Sequence, residues 1–331
     1  MDERGAWRRN RRRWVAALGL VAAGVAPGLG AAAIGPRRIQ LVVPQPPGGA
    51  ADALGRVLAE QLEKSIGATV IVINKPGANG AIANEYAARS PADGGTLMLA
   101  STATHVIGPQ QIAGLPVDPA RDFVPVIALA WQTKVITVHR SLGVTTLREL
   151  VERVRANPGR YNYGSTGPAS TSHVDTAVLA TAYGLDLVHV PYRGSAQMVT
   201  ALATGEVQVL LASVTVSLPA IQSGQAIPLA ILSARRLPLL ANVPTLDETG
   251  FPTTDLRGWI GVVAPRGTPA AFVERLNDAI TRSLATPEFT GWMHEQGLEP
   301  IGGTPAEFGR RIAEDIERWG QVIRRIGLRP A

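Results

Sequence analysis

The 331-residue chain contains no cysteine. That excludes a disulfide framework, a thiolate metal site and a lipid anchor on an acceptor cysteine. Aromatic residues make up 5% of the chain and charged residues 18%, and no interleaved basic and aromatic stripe marks a nucleic-acid surface. Metal-ligand spacing is missing as well. His105, His139, His173, His189 and His294 include no H-x-x-x-H pair and no carboxylate cluster joins them, so no metal is expected and no cofactor is required. No Gly-Lys-Ser/Thr follows the glycines at 48–49, which argues against a nucleotide phosphate loop. Gly28-x-Gly30-x-x-Ala33 fits a loose dinucleotide fingerprint, but no strand pattern precedes it and no helix pattern follows directly. No period of 20–50 residues repeats, and no low-complexity linker divides the chain.

Long apolar runs are scarce too. Trp14–Val25 is the nearest approach, and Gly19, Gly24 and Pro27 break it up short of the ~20 residues a membrane span requires. Arg4, Arg8, Arg9, Arg11, Arg12 and Arg13 stand before it and Ala31-Ala32-Ala33 after it. Basic start, short apolar middle and small-residue end together predict an export signal over 1–33, with a mature N-terminus near Ile34. Asn10–Val15 also looks like a twin-arginine signal. This segment carries +4 of the formal net charge of +6, so about +2 remains on the mature chain and the basic balance says nothing about nucleic acid.

The richest stretch is Ile39–Arg56. An apolar run (Ile39, Leu41, Val42, Val43) breaks at Pro44-Gln45-Pro46-Pro47-Gly48-Gly49, and Leu54, Val57, Leu58 and Leu62 then recur on one helical face. A strand, a glycine turn and a helix start aim free N–H groups and a helix dipole at an anion. Gly48 and Gly49 leave room for close approach to the backbone. Asp52 falls in the first helical turn, where it either meets a ligand or serves the dipole.

A second cluster follows a short strand ending near Tyr163. Ser165, Thr166, Ser170, Thr171 and Ser172 crowd ahead of His173, where a helical pattern begins. Ser170 or Thr171 as N-cap accounts for one hydroxyl; the others are available to a carboxylate. The segment is not G-x-S-x-G, and His173 follows too closely to act as base in the usual hydrolase order. Ser101–His105 is a third strand end leading into small polar residues, and Tyr192 and Ser213 complete the candidates.

The pattern predicts strands at 39–43, 69–73, 96–100, 124–130, 133–138, 187–190, 207–211, 227–232 and 259–264. Helices are predicted at 50–64, 80–89, 146–156, 170–183, 195–204, 269–286, 288–296 and 305–326, an alternation expected of a parallel α/β architecture. The last helix spaces Phe308, Ile312, Ile316, Trp319 and Ile323 by three and four with mixed charges elsewhere, which fits core packing better than a membrane surface.

An ordered set of motifs gives the chain a resemblance. Asn74-Lys75-Pro76-Gly77-Ala78-Asn79-Gly80, Pro91-Ala92-Asp93-Gly94-Gly95-Thr96-Leu97, Leu115–Pro119 with Asp122-Phe123, Gly164–Gly167, His189–Gly194 and Val243-Pro244-Thr245 follow the opening loop in turn. Over residues 37 to 328 the chain resembles the substrate-binding receptors of tripartite tricarboxylate transporters, often called Bug receptors. The resemblance implies a two-lobed periplasmic-binding-protein fold of type II-like α/β class, with the ligand cleft between lobes and two chain crossings. These are placed near 134–138 and Arg257–Trp259, giving lobe one as 34–136 plus 259–331 and lobe two as 137–258. It implies a periplasmic, monomeric, non-enzymatic receptor that captures a small carboxylate and delivers it to membrane transporter subunits. The expected ligand-binding residues are Gln45, Gly48, Gly49, Ala50, Ala51 and Asp52 in the first loop, Thr102 and Thr104 in the next, and Ser165, Thr166, Ser170, Thr171, His173, Tyr192 and Ser213 from lobe two. Gln45 departs from a commonly aromatic position and Ala212 from a frequent aspartate, which disfavours a ligand whose ammonium needs that acid. The alternatives are an exported hydrolase-like enzyme using the 164–173 loop and a periplasmic sensor for a signalling kinase.

Overall fold

The computed structural model describes residues 36–47, 50–168, 170–252 and 255–328. The export signal, the glycines at 28 and 30, and the Gly48–Gly49 turn lie outside the described residues.

Strand β1 (Arg38–Val43) leads to helix α1 (Ala50–Ile66), β2 (Thr69–Asn74), α2 (Ala81–Ala88) and β3 (Thr96–Ser101). A π-helical turn at Ala103–Ile107 continues into α3 (Gly108–Gln111), and β4 (Phe123–Gln132) follows. Thr133 alone separates β4 from β5 (Lys134–His139). Then come α4 (Leu147–Arg155), β6 (Tyr161–Ser165), α5 (Thr171–Tyr183), β7 (Leu187–Pro191), α6 (Ser195–Thr204), β8 (Val209–Ser213), α7 (Val214–Gln222) and β9 (Ala226–Leu232). β10 (Gly258–Pro265), α8 (Ala270–Leu284), α9 (Pro287–Glu295), β11 (Leu298–Gly302) and α10 (Pro305–Arg325) complete the chain.

The strands form two sheets, one ordered β11-β4-β10-β3-β1-β2 and the other β7-β6-β8-β5-β9. Each is the centre of a lobe. The chain changes sheet at Thr133 and returns ahead of Gly258.

The sheets are mixed, which corrects the expectation of a parallel architecture. β1 runs parallel to β2 and β3, but β10 is antiparallel to β3 and β4. In the second sheet β6 is parallel to β7 and β8, whereas β5 is antiparallel to β8 and β9. Chain continuity supplies the reason. β4 runs with β1–β3 and leaves at their carboxyl ends, so β5 enters the second sheet at the crossing and must oppose its neighbours; β10 repeats this on the return. The carboxyl ends of β1–β3 and of β6–β9 therefore both face the crossings.

Helices cover both faces of each sheet. Leu41, Val42 and Val43 of β1 are completely buried, as a strand covered on both faces requires. Leu54, Leu58 and Leu62 of α1 pack with Phe272 and Leu276 of α8 and with Phe289 of α9 on one side of sheet one. Phe308, Ile312, Trp319 and Ile323 of α10 join the core on the other side, which extends to Leu150 of α4 and Val174 and Val178 of α5 on sheet two. Met198, Ala201 and Leu202 of α6 and Ala220 of α7 cover sheet two's remaining face. Capping boxes fix two starts: Thr146 with Glu149 for α4, and Thr304 with Glu307 for α10.

Besides the short α3, three elements escape the sequence pattern. β11 (LEPIG) carries proline and glycine and sits at a sheet edge, where proline is tolerated. α7 (VTVSLPAIQ) is β-branched at its start and holds Pro219, yet Val214, Ser217 and Ala220 are buried at helical spacing. The helical turn at Ala103–Ile107 follows β3 without an amphipathic repeat long enough to announce it.

Candidate functional site

The strand directions bring the flagged loops to one end of each sheet. The loop after β1, the helical turn after β3, the loop after β6, Tyr192 after β7 and Ser213 ending β8 all lie at the crossing end.

On lobe one, Asp52 lies in the first turn of α1 and is only 4% exposed. Its carboxylate accepts two hydrogen bonds from Arg56, at 3.0 and 3.1 Å, and one from Asn74 Nδ2 at 2.9 Å. The same Asn74 amide donates to the Gln45 carbonyl at 3.0 Å. Asp52 thus ties the end of β2 and the exposed loop to the start of α1. Ala50 opens that helix and Ala51 is buried in it. Thr102, buried, accepts the Trp259 N–H through Oγ1 at 2.9 Å, which binds the end of β3 to β10. Thr104 Oγ1 accepts from Ser101 N at 3.1 Å and meets His105 Nδ1 at 3.0 Å. His105 is fully buried, and that burial drives its pKa down to about 3.

On lobe two, Ser170 is the N-cap of α5, accepting from His173 N at 3.3 Å. Ser165 is completely buried; its Oγ accepts the Gly167 N–H at 3.0 Å and lies 2.6 Å from His189 Nε2. Ser172 Oγ accepts the Thr166 N–H at 3.1 Å. The hydroxyls of Thr166, Thr171 and Ser213 have no intramolecular partner among the described residues. Tyr192 donates its hydroxyl to Glu206 at 2.9 Å, and burial together with that carboxylate pushes its pKa up to about 12.

The strand histidine His189 reads as merely structural in the sequence, yet it stacks on His173 with ring centroids 4.0 Å apart and on Tyr163 at 5.0 Å. Burial and the neighbouring His173 lower the His189 pKa to about 4, and burial lowers that of His173. Both rings are therefore neutral near pH 7. His173 Nδ1 is buried without a hydrogen-bond partner among the described residues. His189 opens the motif His189–Gly194, but its pairing with Ser165 spans 24 positions, so the motif could not reveal what the ring contacts. Asn79 is a second residue the sequence leaves unassigned: its amide reaches across to the Pro168 carbonyl at 3.2 Å.

The arrangement offers neutral donors. Arg56 is paired with Asp52, and Lys134 is paired with Asp175 in a buried contact. The Ser165–His189 pair is not an exposed nucleophile, because Ser165 has no accessible surface. An open cavity of about 170 Å³ lined by Leu232–Ala234, Leu246, Asp247 and Asp255–Arg257 shares no residue with these loops. The only cation lining it, Arg257, is paired with Asp255 at 2.9 Å. No group of three potential metal ligands occurs among the described residues, and none of their helices is long and apolar enough to cross a membrane.

Comparison with known proteins agrees with this geometry. Residues 54–328 match the model of the tripartite tricarboxylate transporter family receptor. Protein BugT of Bordetella pertussis is 32% identical, with 97% of this chain and 99% of that protein aligned. The structure of R. palustris Rpa4515 with adipate superposes with a TM-score of 0.84 at 35% identity, covering 89% of this chain and 98% of that one. MatC from Rhodopseudomonas palustris with bound malate gives 0.79 at 27% identity, covering 86% and 98%. The two-lobed fold is that of the periplasmic binding proteins on which it superposes, and this chain belongs to the tripartite tricarboxylate transporter receptor family.

Proposed function

We propose that the protein is exported to the periplasm, closes on a small organic carboxylate, and presents it to membrane transporter subunits without catalysing a reaction. The observation that carries this is the pairing of α1 and α5. Both helices begin at the carboxyl ends of strands facing the crossings, and the loop into α5 and its first residue add the unpartnered hydroxyls of Thr166 and Thr171. Helix starts and hydroxyls suit a carboxylate without requiring a free cation. Lobe two would run from Lys134 to Arg257, and lobe one would comprise the remainder of the mature chain.

The ligand is an acid without a cationic amine. Asp52 already serves Arg56 and Asn74, and Ala212 offers no second carboxylate. The adipate and malate in the two solved relatives are dicarboxylates, which supports that class. Micromolar affinity corresponds to about −8 kcal/mol. A few hydrogen bonds to a charged group at about 1.5–3 kcal/mol each, less the cost of ordering and association, are of that size.

A thermal-shift screen of the mature chain against adipate, malate, citrate, glutamate and benzoate tests the proposal. A ligand specific for the folded state stabilises it by RT ln(1 + [L]/Kd). Stabilisation by a dicarboxylate and not by glutamate is expected; no shift with any acid overturns the receptor assignment, and a preference for glutamate overturns the ligand class.

A further inference from the structure

The turn between β2 and α2 holds two residues other than glycine in left-handed backbone: Ala78 at φ 45° and Asn79 at φ 48°, ψ 34°. Gly77 and Gly80 flank them at φ 124° and 93°. Such conformations are uncommon for side-chain-bearing residues, although asparagine tolerates them better than most. They persist where the surroundings fix them. Here the packing does so. A Cβ on Gly80 would lie 2.4 Å from Thr104 Cγ2, and one on Gly108 would lie 3.3 Å from the Asn79 carbonyl oxygen. Gly80 and the Asn79 carbonyl thus pack closely against Thr104 and Gly108, while Gly77 and Ala78 stay exposed.

This conformation presents the Asn79 amide to the opposite lobe. Asn79 Nδ2 donates to the Pro168 carbonyl at 3.2 Å, joining the 77–80 turn of lobe one to the hydroxyl loop that leads into α5. Pro168 follows Gly167, whose N–H and carbonyl are both held by Ser165 Oγ. The bond therefore runs between two braced loops on either side of the cleft, and it exists only while the lobes are together. We propose that Asn79 is a latch, a positioning residue that touches no ligand but holds the closed cleft shut. The inference rests on the receptor reading, since a latch matters to function only where closure accompanies binding.

A contact present only in the closed state raises the closed fraction and hence the apparent affinity. It must also break before the ligand leaves. Loss of one neutral hydrogen bond corresponds to roughly a two- to tenfold change, which here falls mainly on the dissociation rate. Asn79→Gly separates this from a folding role, because glycine accepts the left-handed backbone and removes only the amide. Asn79→Asp turns the donor into an acceptor facing a carbonyl and is expected to act in the same direction more strongly.

The test measures adipate and malate dissociation by stopped flow in the wild type, N79G and N79D. Spin labels at Glu60→Cys and Thr200→Cys report the distance between lobes without ligand, and the cysteine-free chain makes both labels unique. N79G is expected to release ligand about fivefold faster, N79D faster still. Both should widen the unliganded distance distribution, and N79G should keep its melting temperature. Unchanged release and unchanged distances in both variants overturn the latch. If the wild type binds neither acid, the carboxylate assignment fails separately, and the unliganded distances still decide whether Asn79 holds the lobes together.

Discussion

Asp52 shows how one buried carboxylate braces the loop ahead of α1. Its buried carboxylate gathers Arg56, Asn74 and, through Asn74, the Gln45 backbone. Asp52→Ala leaves the Asn74 amide without its carboxylate and loosens the loop. Carboxylate affinity should drop about tenfold and stability by about 1–3 kcal/mol, measurable by calorimetry and urea unfolding; unchanged values for both would remove Asp52 from the site's support. His105 makes a prediction about pH. Burial holds its pKa near 3 against 6.5 when unfolded, so between these values the unfolded chain binds more protons and stability rises with pH. Its contribution is complete above pH 6.5 and is lost as pH falls toward 3, at up to about 1.4 kcal/mol per unit. Urea midpoints should decline from pH 7.5 to 5.0, and His105→Gln should flatten the decline. An equal slope in that variant would assign the effect elsewhere.

At the scale of elements, α5 concentrates the candidate chemistry in one turn. Ser170 caps it, Ser172 holds the Thr166 N–H, and His173 rests on His189. Ser170→Ala should cost about 1 kcal/mol of stability through the lost cap, with faster hydrogen exchange in the first turn. Replacing Ser165 and Thr166 together by alanine should weaken dicarboxylate binding about tenfold while the fold survives; calorimetry showing equal affinity would move the site off this loop. The hydroxyl cluster is legible in the sequence because it is local. The ring stack behind it is not, since β7 supplies His189 from the neighbouring strand in register with Tyr163.

Over the whole molecule, the crossings carry a buried ion pair. Lys134 at the start of β5 contacts Asp175 of α5 and donates to the Leu256 carbonyl at 2.5 Å, with both side chains at most 4% exposed. Burial raises the Asp175 pKa more than Lys134 and Arg318 lower it. Removing one partner strands the other charge, so Lys134→Met should destabilise by about 3–5 kcal/mol, and adding Asp175→Leu should recover part of the loss. A double variant less stable than the single one would contradict that account. Closure is the second prediction at this scale. If both lobes supply ligand groups, as proposed, a dicarboxylate should reduce the radius of gyration in small-angle scattering and protect residues 164–173 and 44–52 from exchange. Protection confined to one lobe would place the site outside the cleft.

The sequence by itself determined the strand–turn–helix openings, the small polar loops and the family, because each is written in contiguous residues whose periodicity and turn chemistry act locally. It also set most helix spans, including α10, whose apolar stripe needs only its own repeat to be recognised. Tertiary structure alone decided the mixed strand directions, which follow from how a chain must cross between two sheets. The same holds for α7 and β11, whose composition opposes or obscures them until burial and edge position settle the matter. Lys134 with Asp175, Ser165 with His189, and Asn79 with Pro168 lie 41, 24 and 89 positions apart. Contacts of that range depend on how elements pack in space, and no local rule of propensity or spacing encodes them.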